Sequence, residues 1–159
     1  MTTVVEGTPA AGSLRACIVT LAAEPFAVDV RYAREVVGFA SYTPVPRAPA
    51  HVLGVANLRG VVVPLVDVRP FLGLPPWTPP GTVRALLVED APLQAAIGID
   101  DVLGLESFEA ITPLAELSRK EFGEFALGIL ARGDGFVTLL DSPGILRSPR
   151  MRPWAHKDG

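Results

Sequence analysis

The chain has 159 residues, of which 49% are apolar and 19% charged, with a net charge of −3. That composition belongs to a globular chain with a real core, built as one domain or as one domain of two small lobes. The slight acidity leaves no electrostatic footprint for nucleic acid, and the single cysteine, Cys17, can supply neither an internal disulfide nor a cysteine metal cluster, so a reducing, cytoplasmic setting is expected.

In chain order, Met1–Gly12 is rich in Thr, Ala and Gly and is expected to be flexible, as are residues 1–13 as a whole. Leu14–Leu21 and Phe26–Val30 read as a hairpin around the turn Ala22–Pro25. The run Ala16–Ala23 has the length of a signal-peptide core, but Glu6 and the absence of Lys or Arg before Arg15 argue against that reading. No apolar run approaches the roughly 18–20 residues of a membrane helix; Pro64, Asp67 and Gly104 break the longest candidates, so no membrane insertion is expected. Arg31–Val37 fits a helical turn or an extended strand equally well.

Pro44, Pro46 and Pro49 exclude Ser41–Pro49 from a sheet interior and make it an extended edge. Pro49 can open one helical turn over Ala50–Val52. Gly54–Arg69, GVANLRGVVVPLVDVR, then reads as a hairpin with its corner at Arg59-Gly60. Gly73–Gly81, GLPPWTPPG, is a stiff connector. A second hairpin joins Arg84–Asp90 to Gln94–Asp101 around Ala91-Pro92, and a third joins Phe125–Ala131 to Gly135–Asp141. Thr112-Pro113 and Ser142-Pro143 each look like an N-cap followed by a first-position proline, opening short helices, the former to about Phe122. The tail over residues 148–159 is expected to be loose. Some nine short strands and three short helical pieces make an all-β pattern.

The two halves echo each other. FAVDV, Glu35-Val36, Thr43-Pro44, GVANLRG and VVVPLVD recur as AIGID, Asp101-Val102, Thr112-Pro113, GILARGDG and FVTLLD. The spacing of about 70 residues is too long for a solenoid and suits two similar small barrels around one shared apolar core.

Catalytic constellations are missing from the sequence: it has no HExxH, P-loop, GxGxxG or G-x-S-x-G motif. Cys17 lies mid-strand among apolar neighbours, as a buried structural thiol does. No cofactor, metal site or catalytic residue is expected. The polar residues inside the Gly54–Arg69 hairpin stand out. Asn57, Pro64, Asp67 and Arg69 read as structural residues of the hairpin and its turn, with Asp67 a local backbone cap or an arginine partner. Arg59 and Gly60 form the tip, where an arginine either orders the turn or meets a partner.

The hairpin resembles the strongest motif of the CheW-like family of chemotaxis coupling proteins, with Val68 where the family has leucine. PFAVDVRYAREVV, TPVPRAP, LLVEDAPLQAAIGIDDVLGL and GFVTLLD extend the resemblance over Leu14–Leu146, read as a single domain of two lobes. The resemblance implies two five-stranded SH3-like barrels around a shared core. It implies a non-catalytic adaptor joining chemoreceptor cytoplasmic tips to the regulatory domain of a CheA-like histidine kinase, in the cytoplasm at membrane-associated receptor arrays. The first lobe would dock the kinase, and the groove between lobes would take the receptor helices. Glu35, Val36, Arg59 and Gly60 are the interface candidates it points to. Two other readings stay open: the same scaffold in a pathway governing pili, biofilm or development, and a small β-barrel enzyme or ligand binder with Arg59, Asp67 and Asp100 in one closed polar pocket.

Overall fold

The structure is a computed structural model that describes residues 3–4, 13–113 and 124–151. Its strands are β1 (Thr3–Val4), β2 (Leu14–Leu21), β3 (Glu24–Asp29), β4 (Ala33–Phe39), β5 (Val52–Leu58), β6 (Val61–Val66), β7 (Val83–Asp90), β8 (Leu93–Gly98), β9 (Asp101–Phe108), β10 (Thr112–Pro113), β11 (Ala126–Arg132) and β12 (Gly135–Leu140). A 3₁₀ turn follows β6 at Arg69–Leu72, and the helix α1 spans Ser142–Arg147.

Two six-stranded sheets result, in the orders β1-β4-β7-β8-β6-β5 and β10-β11-β12-β3-β2-β9. Without the two-residue edge strands β1 and β10, each is a five-stranded lobe, as the sequence leads one to expect. The orders are related: β4-β7-β8-β6-β5 of lobe one matches β9-β2-β3-β12-β11 of lobe two. In each, a parallel pair closes the arrangement. Leu65 and Val66 of β6 lie beside Ala96 and Ile97 of β8, and Thr138 and Leu139 of β12 lie beside Phe26 and Ala27 of β3.

The lobes are nevertheless not the two halves of the sequence. The first hairpin, β2–β3, belongs to lobe two, and the hairpin β7–β8, which opens the second half, belongs to lobe one. Each half lends its opening hairpin to the other.

This exchange explains the unbroken apolar runs of β2, β7 and β8. A strand buried on both faces alternates between two cores instead of between core and solvent. In β2, Cys17, Val19 and Leu21 enter a core shared by both lobes, while Ala16 and Ile18 enter a core inside lobe two. In β7, Leu86 and Val88 face the shared core, and Val83, Ala85 and Leu87 face a core inside lobe one. The single core expected from sequence is therefore one of three.

The ambiguous Arg31–Val37 segment resolves into β4, which pairs with β7 and, through β1, with the N-terminal stretch expected to be flexible. Thr112-Pro113 does not cap a helix. It forms β10 and pairs with Ile129 and Gly128 of β11, just as Thr43 bridges Val55 in lobe one. The rest of that expected helix lies outside the described residues. Both contacts need a glycine opposite: a Cβ on Gly54 would stand 2.3 Å from the Thr43 carbonyl oxygen, and one on Gly128 would stand 2.7 Å from that of Thr112. The Thr43 bridge also explains why Pro64 is tolerated in β6. Val55, opposite Pro64, spends both backbone groups on Thr43 and asks β6 for no donor.

Two more expectations are corrected. Ser142 is not the cap of α1; Asp141 is, accepting the Gly144 N–H at 3.0 Å. The tail is not loose from Ser148. Met151 is fully buried in the shared core, and the Arg150 carbonyl lies 3.1 Å from His51 Nε2.

Candidate functional site

Hairpin β5–β6 turns through two residues. Arg59 has φ 50° and Gly60 has φ 87°. Positive φ at both central positions is the turn that matches strand twist. Arginine pays a steric cost there that glycine does not. Asn57 offsets it, its Oδ1 accepting the Gly60 N–H at 2.8 Å. The turn residues expected from sequence, Asn57 and Gly60, therefore do what their types allow.

From this tip the Arg59 side chain, 63% exposed, reaches back to pair with Glu35 of β4, whose own side chain is only 9% exposed. Glu35 shares a strand face with Val37 and Phe39, which line the lobe-one core, so its carboxylate stands at the open mouth of that lobe. Beside it, Arg34 donates to Glu89 at 3.1 Å and to the Arg31 carbonyl at 2.8 Å. Between these pairs lies a cleft of about 340 Å³, floored by Leu58, Val63 and Leu87. Val61, exposed at the start of β6, lines its edge.

Val36 departs from the sequence expectation. Its side chain turns the other way from Glu35, into the shared core, and is 7% exposed. It offers a partner almost no surface. Of the four interface candidates, Arg59 and Gly60 are open and Glu35 backs them.

Asp67 and Arg69 form a separate cluster at the far end of β6. Asp67 Oδ1 accepts the Arg69 N–H and one guanidinium nitrogen, both at 3.0 Å. Arg69 also donates to the Gly98 carbonyl at 3.2 Å and to Asp100 at 2.8 Å. Its guanidinium carbon stands 3.8 Å from the centroid of Trp77, so the ring of the proline-rich connector covers it. Arg69 is 1% exposed. Asp100 in turn accepts the Ala23 N–H at 2.9 Å, steadying the β2–β3 turn, where Ala22 and Ala23 both have positive φ. This chain of bonds ties lobe one to lobe two. Sequence reading finds Asp67 with an arginine but misses Asp100 and Trp77, because only the fold brings them together.

The closed pocket of Arg59, Asp67 and Asp100 does not form: the two aspartates meet on Arg69, while Arg59 holds Glu35. Among the described residues, no His, Cys, Asp and Glu group could hold a metal ion, and no helix is long and apolar enough to cross a membrane. Cys17 sits in the shared core, and burial pushes its thiol up to about 11.

The family model of the CheW-like domain matches residues 15–150. The chain belongs to the CheW-like family. A probable chemotaxis protein CheW of Rhizobium etli is 32% identical over 123 residues, covering 74% of this chain and 77% of the relative. The chemotaxis protein CheW of Rhizobium meliloti is 32% identical over 130 residues, covering 79% and 82%. Among solved structures, the scaffolding protein TtCheW of Thermoanaerobacter tengcongensis superposes with a TM-score of 0.69 at 23% identity, over 80% of this chain and 88% of that one. The two-lobed architecture is thus the CheW-like one.

Proposed function

We propose that this CheW-like chain is a non-catalytic chemotaxis adaptor that couples chemoreceptor cytoplasmic tips to the regulatory domain of a CheA-like histidine kinase, at membrane-associated receptor arrays. The observation that carries the reading is the β5–β6 tip. It sits within the family match and presents an arginine in a strained, left-handed turn, its side chain paired with a nearly buried glutamate. Strain at an exposed side chain is a mark of function, because a glycine would make the same turn at lower cost. Arginine offers five donors in a fixed fork and suits the centre of a protein interface.

In this reading Arg59 and Gly60 touch the partner and Glu35 aims Arg59. Val36 contributes to the shared core beneath. The kinase regulatory domain docks on lobe one, and receptor helices lie along the junction of the lobes.

The test is a binding assay of the intact chain with a kinase regulatory domain and a receptor-tip fragment, comparing wild type with Arg59→Glu. Wild type should retain both, and the charge reversal should weaken at least one by tenfold or more. A wild-type chain that retains neither removes the proposal.

A further inference from the structure

The bulge on β4 has a twin on β9. On β4, Ala33 lies opposite Val88 and Glu35 opposite Leu87, so Arg34 is the extra residue. On β9, Val102 lies opposite Val19 and Gly104 opposite Ile18, so Leu103 is the extra residue. The cores agree with this match. Val88 and Val19 both face the shared core, while Leu87 and Ile18 each face the core of their own lobe. Just past the bulge on β4, Val4 and Thr3 of β1 lie opposite Glu35 and Val36. The equivalent two slots on β9 are Gly104 and Leu105. Among the described residues no strand fills them, and β9 ends its sheet.

The two edges meet water differently. At the bulge of β4 stands a charge, Arg34, engaged by Glu89. At the bulge of β9 stands Leu103, 51% exposed. Nothing lies within 4 Å of where a Cβ on Gly104 would sit. A bare edge is ordinarily guarded by charge, and a leucine there leaves it open to a short strand of the kind β4 accepts. The chain's own β1 cannot be that strand. Paired antiparallel to β9, it would run parallel to β2, which follows it after only residues 5–13. Parallel strands need a connection of about a dozen or more residues. This connection would also have to cross β9, where Val102 and Leu105 pack on the shared core and Phe108 lies in the core of lobe two.

We infer that the open edge of β9 is a docking site for the β1 segment of a second copy of this chain, which adds antiparallel opposite Gly104 and Leu105 and covers Leu103. The fit is drawn by the chain itself, since β1 already pairs with the twin edge on β4. It holds β4 through two residues only, so it leaves at small cost. On β9 it regains the same two pairings and covers an exposed leucine in addition. Two copies that exchange β1 reciprocally close a twofold dimer, a low-cost route to self-association. The site lies in lobe two, away from the β5–β6 tip, and does not depend on the adaptor reading.

The test combines sedimentation of the intact chain, from micromolar to millimolar concentration, with titration of a peptide of residues 1–6. Wild type should dimerise as concentration rises. Val4→Pro, which removes a donor from β1, and Leu103→Lys, which guards the edge of β9, should each weaken the dimer tenfold or more. Both should melt as wild type does, since neither touches a core. In the Val4→Pro chain the peptide should shift the amide resonances of Gly104 and Leu105 as well as those of Glu35 and Val36. A wild type that stays monomeric at millimolar concentration overturns the inference, as does a dimer that both variants leave intact. A peptide that shifts only Glu35 and Val36 removes the site on β9. A scrambled peptide that binds there equally well removes the second copy as its occupant.

Discussion

Arg132 and Glu106 repeat in lobe two the pairing that Arg59 and Glu35 make in lobe one. Arg132 stands at the β11–β12 turn and donates to both Glu106 oxygens at 3.1 Å, and Glu106 lies on β9, the counterpart of β4. The pairs differ in burial: both lobe-two partners are about one-third exposed, whereas Glu35 is nearly covered.

That difference predicts unequal costs. Arg59→Met should destabilise the chain by about 1–3 kcal/mol, because a mostly buried carboxylate loses its donor. Arg132→Met should cost under about 1 kcal/mol, as exposed pairs do. Removing Glu35 as well, in the double variant Arg59→Met with Glu35→Met, should recover part of the first loss. Urea midpoints of the four proteins decide it, and equal losses in the two lobes would contradict it.

Arg69→Met should cost about 3–5 kcal/mol, since it strands the partners of a buried guanidinium. Such a loss is a large part of the 5–15 kcal/mol that holds an ordinary domain together. Arg69→Lys should rescue little. A single ammonium cannot reach Asp67, the Gly98 carbonyl and Asp100 together while lying flat under Trp77. Denaturant melts of both variants check this.

Gly98→Ala should expel Trp77. A Cβ at position 98 would stand 2.6 Å from the indole ring. With Trp154→Phe introduced to leave one tryptophan, the emission of Trp77 should shift to longer wavelength. An unmoved spectrum would mean that the connector adjusts around the methyl group.

Cys17 makes stability depend on alkaline pH. Its thiol ionises at about 11 in the fold, above its ordinary value of 9.0. The folded state therefore holds the proton more tightly, and the contribution is complete below pH 9 and declines as pH rises from 9 towards 11. Stability of wild type relative to Cys17→Ala should fall across that window. Iodoacetamide at pH 8 should label the chain in urea but leave the native thiol unmodified, because only the thiolate is nucleophilic.

Much of the fold is legible in local pattern. The β5–β6, β7–β8 and β11–β12 hairpins stand out because glycine, proline and polar corners punctuate apolar runs. Lobe membership is not legible, because β2 and β7 carry apolar side chains on both faces and so say nothing about which neighbour each face meets. The tip of the site, Arg59-Gly60, is readable from residue type and spacing. The burial of Val36 is not, since a bulge between Ala33 and Glu35 resets which residues of β4 face inward. Arg69 is hidden for another reason: its residue type is ordinarily exposed, and only Gly98, Asp100 and Trp77, distant in sequence, make it otherwise.

The exchange of opening hairpins fixes when this chain can finish folding. The β2–β3 hairpin is made first, yet β12, its parallel neighbour, comes more than a hundred residues later (Phe26 beside Thr138). Until then its lobe-two face, Ala16, Ile18 and Ala27, lacks Leu130, Val137 and Leu139 to cover it. Such non-local closure is slow and leaves sticky intermediates. Synthesis of either half alone yields a hairpin without its lobe and a lobe without its hairpin. An adaptor of this kind is therefore made whole or not at all, and a truncated product cannot compete for the partners of the complete one.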